Sequence, residues 1–445
     1  MSDEDFALKA KESFEKLTLD QQLHVRAVCA FYHIPESEFF AYRFLAQTNL
    51  FALCKLLGTY SDMSDQEYIW TDGTVHTIHE SICNSFFVQK NPTQKTFKDF
   101  ATEYIDKKER LLLVPRGGFK SSMDMADCVQ YIICWPEITI LVLTGVLKLA
   151  NDFVGEIKGH FELEDGGPLG LFYKKKNLRP RTLKDGTSSP FQMLFPEHCI
   201  PVEEGKASEY QTPAVSVLEK EPTVFAASIE QNLTGWHVGV LKLDDVVTNE
   251  NSQTNDRILN INKQVSINQA MLHPYGFYDI IGTWYDAEDV YGQIIRNHKK
   301  ALEEGGDGGF PTKIYIRAAW WQTAAAKAVG KVEAEMGELD YHLWFSVPGN
   351  PHSLTYDFLQ KKKKNDPYFA IKYLNDPTQL HAIKFPRELL VRRTVPAAML
   401  PSTGMIVTCV DTAYSTKSWA DYTVDRKSTR LNSSHERLSR MPSSA

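Results

Sequence analysis

The chain has 445 residues, with 49 Lys and Arg against 56 Asp and Glu for a net charge of −7, and 43% hydrophobic content. That content excludes global disorder, and the length exceeds the roughly 250–300 residues at which a single core stops growing, so at least two domains are expected. No stretch reaches the ~18 apolar residues of a membrane span, the opening MSDEDFALKAKESFEKL lacks the apolar region of a signal peptide, and seven scattered cysteines without a CxxC pair read as reduced thiols. The negative charge argues against coating nucleic acid by bulk attraction and leaves a local grip on DNA open.

Residues 1–95 read as a helical segment, with heptad-like apolar spacing through Phe14, Leu17, Leu23, Val25, Val28 and Phe31, then from Phe39 and Phe44 to Leu50 and Leu57. His76 and His79 stand one helical turn apart there, but no third ligand follows at a metal-site spacing, so the pair reads as helix surface or core. From Arg110 the period changes. An apolar strand at 111–114 runs into a Pro-Arg-Gly-Gly loop and a helix ending at Trp135; a strand at 138–144 and an amphipathic helix at 147–161 follow. This order predicts a parallel α/β sheet with flanking helices over 96–300. Residues 165–222, rich in Gly, Pro and Lys, read as an excursion, and strands are expected again at 223–229, 237–243 and 278–284. Residues 286–400 mix helices with polar connections, including GGDGG at 305–309, and a last apolar strand ends at Asp411.

The loop Val114-Pro115-Arg116-Gly117-Gly118-Phe119-Lys120-Ser121-Ser122 lies between that first strand and helix. Glycines there let backbone N–H groups approach phosphate oxygens, a lysine reaches the β/γ-phosphates, and a hydroxyl meets Mg2+. Lys120 and Ser121 occupy those places, with Ser122 as the other hydroxyl, while Phe119 stands where glycine normally precedes the lysine. A Gly-rich turn with a solvated lysine is the plainer reading. Leu241-Lys242-Leu243-Asp244-Asp245 is an apolar strand closing in two carboxylates, a place for a Mg2+-binding acid and a water-activating acid. The same acids would also suit a capped turn, and Lys242 is out of character inside such a strand.

These residues resemble the large subunit of a tailed-phage terminase, the ATP-driven motor that packages DNA. The likeness covers about residues 70–425, with motifs in the family's order. PRGGFKSS resembles its Walker A variant, opened by an arginine, and VFAASIEQNLTGWHVGVLKLDDVVTNENS its Walker B strand and flanks. IIGTWYDAEDVYGQII is similar to its coupling motif and the helix start after it. LTYDFLQKKKKNDPYFAIKYLNDP resembles the approach to its linker, and MIVTCVDTAYSTKSWADYTV the opening strand of its RNase H-like nuclease.

The resemblance implies a P-loop NTPase domain after the helical segment, then the linker subdomain at 301–400 and the incomplete start of a nuclease domain at 401–425. Arg116 would be an arginine finger on the γ-phosphate; Gly117, Gly118 and Lys120 would hold the phosphates of ATP, and Ser121 and Asp244 its Mg2+. Asp245, one methylene shorter than the glutamate of many relatives, would orient the attacking water, with Glu250 the other choice. Thr283 would sense γ-phosphate loss. Asp411 and Asp421 would begin a nuclease site holding Mg2+ or Mn2+. Only 34 residues follow Asp411, whereas a five-stranded sheet with crossovers needs about 100. Nuclease activity is therefore expected of the complete family member and not of this chain. Residues 426–445, five basic residues against one acid, resemble a translated sequencing adapter joined to a truncated gene; a disordered basic tail is the other reading.

The implied partners are double-stranded DNA, the portal protein and the small terminase subunit. The implied setting is a homo-oligomeric ring docked on the viral procapsid in the host cytoplasm, with no membrane. The lysines at 361–364 and 174–176, the latter with Arg179 and Arg181, read as solvated faces that would also suit a DNA backbone. Trp320 and Trp321 are expected to pack between subdomains. Two other functions compete. One is a helicase-like DNA-dependent ATPase, against which the nuclease-like strand speaks. The other is a catalytically silent nucleotide-binding docking module, which Phe119 and Asp245 would favour.

Overall fold

Continuous apolar runs without alternation belong to strands covered on both faces, and here they assemble into one central sheet. The computed structural model describes residues 3–15, 22, 26, 29, 35–58, 62–64, 67–69, 75–104, 108–165, 178–180, 190–201, 208–216, 220–231, 233, 235–305, 313–331, 335–347, 349–378, 408–411 and 424–427. The sheet has seven strands: β1 (Glu109–Leu113), β2 (Ile140–Thr144), β3 (Glu209–Tyr210), β4 (Val224–Ser228), β5 (Val238–Asp244), β6 (Leu272–Ile281) and β7 (Lys313–Ile316). Their order is β7-β1-β6-β5-β2-β4-β3, every neighbouring pair parallel except β3 against β4.

Helices that cover the sheet include α1 (Lys120–Cys134), α2 (Leu147–Phe161), α3 (Asn255–Gln269) and α4 (Val290–Glu303). Alternate strand residues point to opposite faces. Leu112, Val142, Val240 and Phe277 pack with Met123 and Val129 of α1 and Val154 and Ile157 of α2. Leu111, Leu113, Leu141, Leu243 and Ile280 pack with Ile261 and Val265 of α3 and Ile294 and Ile295 of α4. The N-terminal helices Glu36–Thr48 and Leu50–Leu56 extend the first of these cores. There Gln47 Nε2 donates to the Ile133 carbonyl at 2.7 Å, and Gln130 Nε2 of α1 to the Ala46 carbonyl at 3.0 Å.

Several expectations change. The N-terminal segment is not wholly helical: residues 67–69 and 75–77 pair as an antiparallel hairpin, so His76 sits on a strand and His79 in the short helix Ile78–Ser81. The sheet continues past residue 300, because β7 adds to the free edge of β1. The 165–222 excursion contributes β3 as well as strands of a separate small sheet. Trp320 packs inside the 313–378 region, stacked on Tyr341 at 4.7 Å and against Phe369 at 5.6 Å, whereas Trp321 lies exposed. Asp411 ends the strand Thr408–Asp411, which pairs antiparallel with Val424–Lys427 across the expected 425/426 boundary. Residues 174–176, Arg181, Asp421 and the apolar positions from Leu17 to Phe31 lie outside the described residues. Among the described residues no helix is long and apolar enough to cross a membrane.

Candidate functional site

In parallel sheets the crevice outside the carboxyl ends of the strands is where ligands bind, and three adjacent strands here end level. Asp244 of β5 lies opposite Ile281 of β6, and Ile281 opposite Leu112 of β1. The segments that leave these ends therefore emerge side by side. They are the loop 114–119, the Asp245 turn and the stretch containing Thr283, which lies two residues past the end of β6.

The loop is built for close approach. Gly117 has φ +85°, and a Cβ added at Gly118 would lie 2.6 Å from the Trp344 ring and 2.9 Å from the Pro115 carbonyl oxygen. Phe119 caps α1 in the left-handed region at φ +57°. The N–H groups of Phe119, Lys120, Ser121 and Ser122 donate to no backbone carbonyl among the described residues. A helix N-terminus with such free donors attracts anions.

Five of the sequence-predicted residues meet there. Lys120 Nζ donates to Asp245 Oδ1 at 2.5 Å and to Thr283 Oγ at 3.2 Å, and the Thr283 hydroxyl donates to the same carboxylate oxygen at 3.2 Å. Ser121 Oγ donates to Asp244 Oδ2 at 2.8 Å, while the buried Asp244 Oδ1 has no hydrogen-bond partner among the described residues. Burial and the neighbouring Asp245 charge push the Asp244 carboxyl up to about 7. Asp245 takes a left-handed turn at φ +45°, its N–H bonded to the Ile281 carbonyl at 2.9 Å. The Lys120 side chain is only 12% exposed, so it is no solvated lysine.

Two predicted residues stand apart. Arg116 is exposed, its N–H bonded to the Lys372 carbonyl at 2.8 Å, and its charge acts on the hydroxyls of Tyr285 and Tyr373. Among the described residues its side chain makes no hydrogen bond to Lys120, Asp244, Asp245 or Thr283. Glu250 lines a cavity of about 440 Å³ with Gly145, Thr248, Asn251, Asp256 and Arg257, and Asp245 is the acid that joins the cluster. The helix start Asp289-Val290-Tyr291-Gly292 has a positioning role: Asp289 caps α4, accepting from the N–H groups of Gly292, Asp286 and Tyr285, which fixes the stretch after Thr283.

Sequence reasoning missed what anchors the cluster. Lys242 Nζ donates to Asp124 at 2.7 Å, Asp127 at 2.5 Å and Asp279 at 2.6 Å, all four side chains fully buried. Arg110 bonds Asp279 through Nη2 at 2.6 Å, and Lys90 pairs with Asp127. The three carboxylates offer oxygens within 4.8 Å of one another, a metal-like spacing that the Lys242 ammonium fills. Burial opposes the Lys242 charge, but the three carboxylates outweigh it and hold the ammonium well above its usual range. The network ties α1 to β1, β5 and β6, the elements that carry the site. Charged residues inside otherwise apolar segments (Arg110, Lys242, Asp279) were the available signal. His79, by contrast, is an ordinary core histidine: burial pushes it down to about 3, and its Nδ1 accepts from the Ser64 N–H at 2.8 Å.

Comparison with protein-family models finds none that matches the chain, and a search of curated proteins finds no matching relative.

Proposed function

We propose that this chain is an Mg2+-dependent ATPase motor that translocates double-stranded DNA, as the terminase large subunit does. The observation that carries the reading is the convergence of Lys120, Ser121, Asp244, Asp245 and Thr283 from three separate segments at one helix N-terminus. Phosphoanhydride hydrolysis calls for positioning and charge stabilisation more than for covalent chemistry. The loop N–H groups and Lys120 would bind the β/γ-phosphates, which compete with Asp245 for the ammonium. Released from Lys120, Asp245 would orient the attacking water, with Thr283 holding its carboxylate. Arg116 would have to turn from its exposed position to reach the γ-phosphate.

The residues fit Mg2+. Ser121 Oγ and Asp244 are the oxygen donors expected of it, and the orphaned oxygen belongs to the same Asp244 carboxyl that burial and Asp245 push up to about 7, a group whose charged form a cation would stabilise. When bound, Mg2+ neutralises charge on the phosphate oxygens. The lysines at 361–364, on the helix Tyr356–Asn365, would meet the DNA backbone. Portal protein, small terminase subunit, ring assembly and action on the procapsid in the host cytoplasm belong to the same proposal. The ion-paired Lys120 and Asp245 favour a working enzyme over a silent docking module.

The test is ATP hydrolysis by the full chain in Mg2+, with and without duplex DNA. Turnover that duplex DNA stimulates, and that added salt suppresses, is the expected result. Turnover indifferent to DNA contradicts the motor and leaves a generic ATPase.

A further inference from the structure

Phe119 holds the loop position where glycine is usual, and it takes a backbone that glycine adopts freely, φ +57° and ψ +22°. For a bulky L-residue that conformation is costly and persists only where the surroundings over-determine it. Rings from two distant segments supply the constraint. His79 meets the Phe119 ring edge-on at 5.3 Å, Phe345 at 6.2 Å and His352 at 5.3 Å. The two segments are also tied to each other, since His352 Nε2 lies 3.2 Å from an Asp62 carboxylate oxygen and Asn350 Nδ2 donates to the Asp62 carbonyl at 2.7 Å. The same loop is gripped at three more points. Lys372 accepts the Arg116 N–H at 2.8 Å, Trp344 packs on Gly118, and Leu354 lies 3.6 Å from the Cβ position of Gly117.

Phosphate binding requires none of this, because glycine at 119 would present the same N–H groups. We infer that Phe119 is a positioning residue whose ring couples the phosphate loop to residues 344–354, so that a nucleotide at the loop and the placement of that segment are linked. The inference rests on the ATP reading above. It makes Phe119 a working part of the loop in place of the defect that its sequence position suggests.

The test compares the full-length wild type with Phe119→Gly, which keeps the left-handed backbone and removes the ring, and Phe119→Tyr, which keeps the ring. Hydrogen exchange of 115–122 and 344–354 is followed with and without Mg-ATP. In the wild type, nucleotide is expected to slow exchange in both segments; in Phe119→Gly it slows only 115–122, and Phe119→Tyr behaves as wild type. Loss of preorganisation raises KM for ATP about tenfold in Phe119→Gly, with a smaller change in kcat. Undiminished protection of 344–354 in Phe119→Gly overturns the inference. Should that variant fail to fold, His352→Ala opens the exposed side of the cage, and wild-type coupling in it counts against the inference equally. Failure of the ATP reading looks different: Mg-ATP leaves 115–122 of the wild type unprotected. In that event nucleotide-free exchange decides, the inference requiring faster exchange of 344–354 in Phe119→Gly than in wild type.

Discussion

Lys242→Met is expected to lower the unfolding free energy by about 3–5 kcal/mol, the usual result of removing one partner from a buried ion network. Lys242 holds three carboxylates with a single ammonium at 2.5–2.7 Å, and none of the four side chains is exposed. Without it, Asp124, Asp127 and Asp279 face only Lys90 and Arg110, leaving one buried negative charge in excess. Protonation can relieve that excess, because an uncompensated carboxylate acquires a raised folded-state pKa. Its cost is therefore fully present at high pH and shrinks as pH falls. Urea unfolding of wild type and variant at pH 8 and pH 6 measures both effects. A loss under 1 kcal/mol at pH 8, or a loss that grows on acidification, would contradict the network described above.

Asp244→Asn has two expected consequences of opposite sign. ATP hydrolysis should fall on the order of 10²–10³-fold, the scale on which a single preorganised electrostatic partner contributes to catalysis. The metal-free variant should nevertheless be more stable than wild type at neutral and higher pH. Burial and Asp245 raise the folded-state pKa of Asp244 from 3.8 to about 7, so between those values the folded state holds more protons than the unfolded state. Wild-type stability accordingly falls as pH rises through that window, and the penalty is complete above about 7. Asparagine carries no such penalty. The Tm advantage of the variant should be small at pH 4, widen toward pH 8, and shrink or reverse in saturating Mg2+. A Tm difference that is flat with pH would mean that the Asp244 carboxyl is not the strained acid inferred here.

Where the chain is covered on both faces, the sequence was readable. The helix expected at 147–161 occurs as Leu147–Phe161, and the strands expected at 223–229 and 237–243 occur within a residue or so of those bounds. Apolar runs bounded by turn residues leave few other conformations open. The first half of β6, Leu-His-Pro-Tyr-Gly, carries no continuous apolar run, and of its five residues only Leu272 is in register with β5, ahead of an irregularity that ends at Phe277. β7 was lost for a similar reason, being four residues long in a stretch read as polar connections.

At the site, Lys120, Ser121, Asp244 and Asp245 could be singled out because they lie where a helix opens or a strand closes, whereas Thr283, two residues past β6, came from the resemblance alone. Lys242 looked like a flaw in its strand, and only the placement of α1 and β6 beside it brings its three partners into view. Phe119 likewise looked like a defect until its backbone angle and its ring neighbours were known. The role expected of Arg116 came from resemblance, and its exposed position beside Tyr285 and Tyr373 could not be read from the loop.

The central claim is that the loop ending in Lys120 binds the phosphates of Mg-ATP. Calorimetric titration of the full chain with Mg-ATP, beside Lys120→Ala, tests it most directly. A charge-assisted hydrogen bond of the Lys120 type predicts saturable, Mg2+-dependent binding that the substitution weakens on the order of 10–100-fold. Absence of binding in the wild type, or equal binding by the variant, would contradict it.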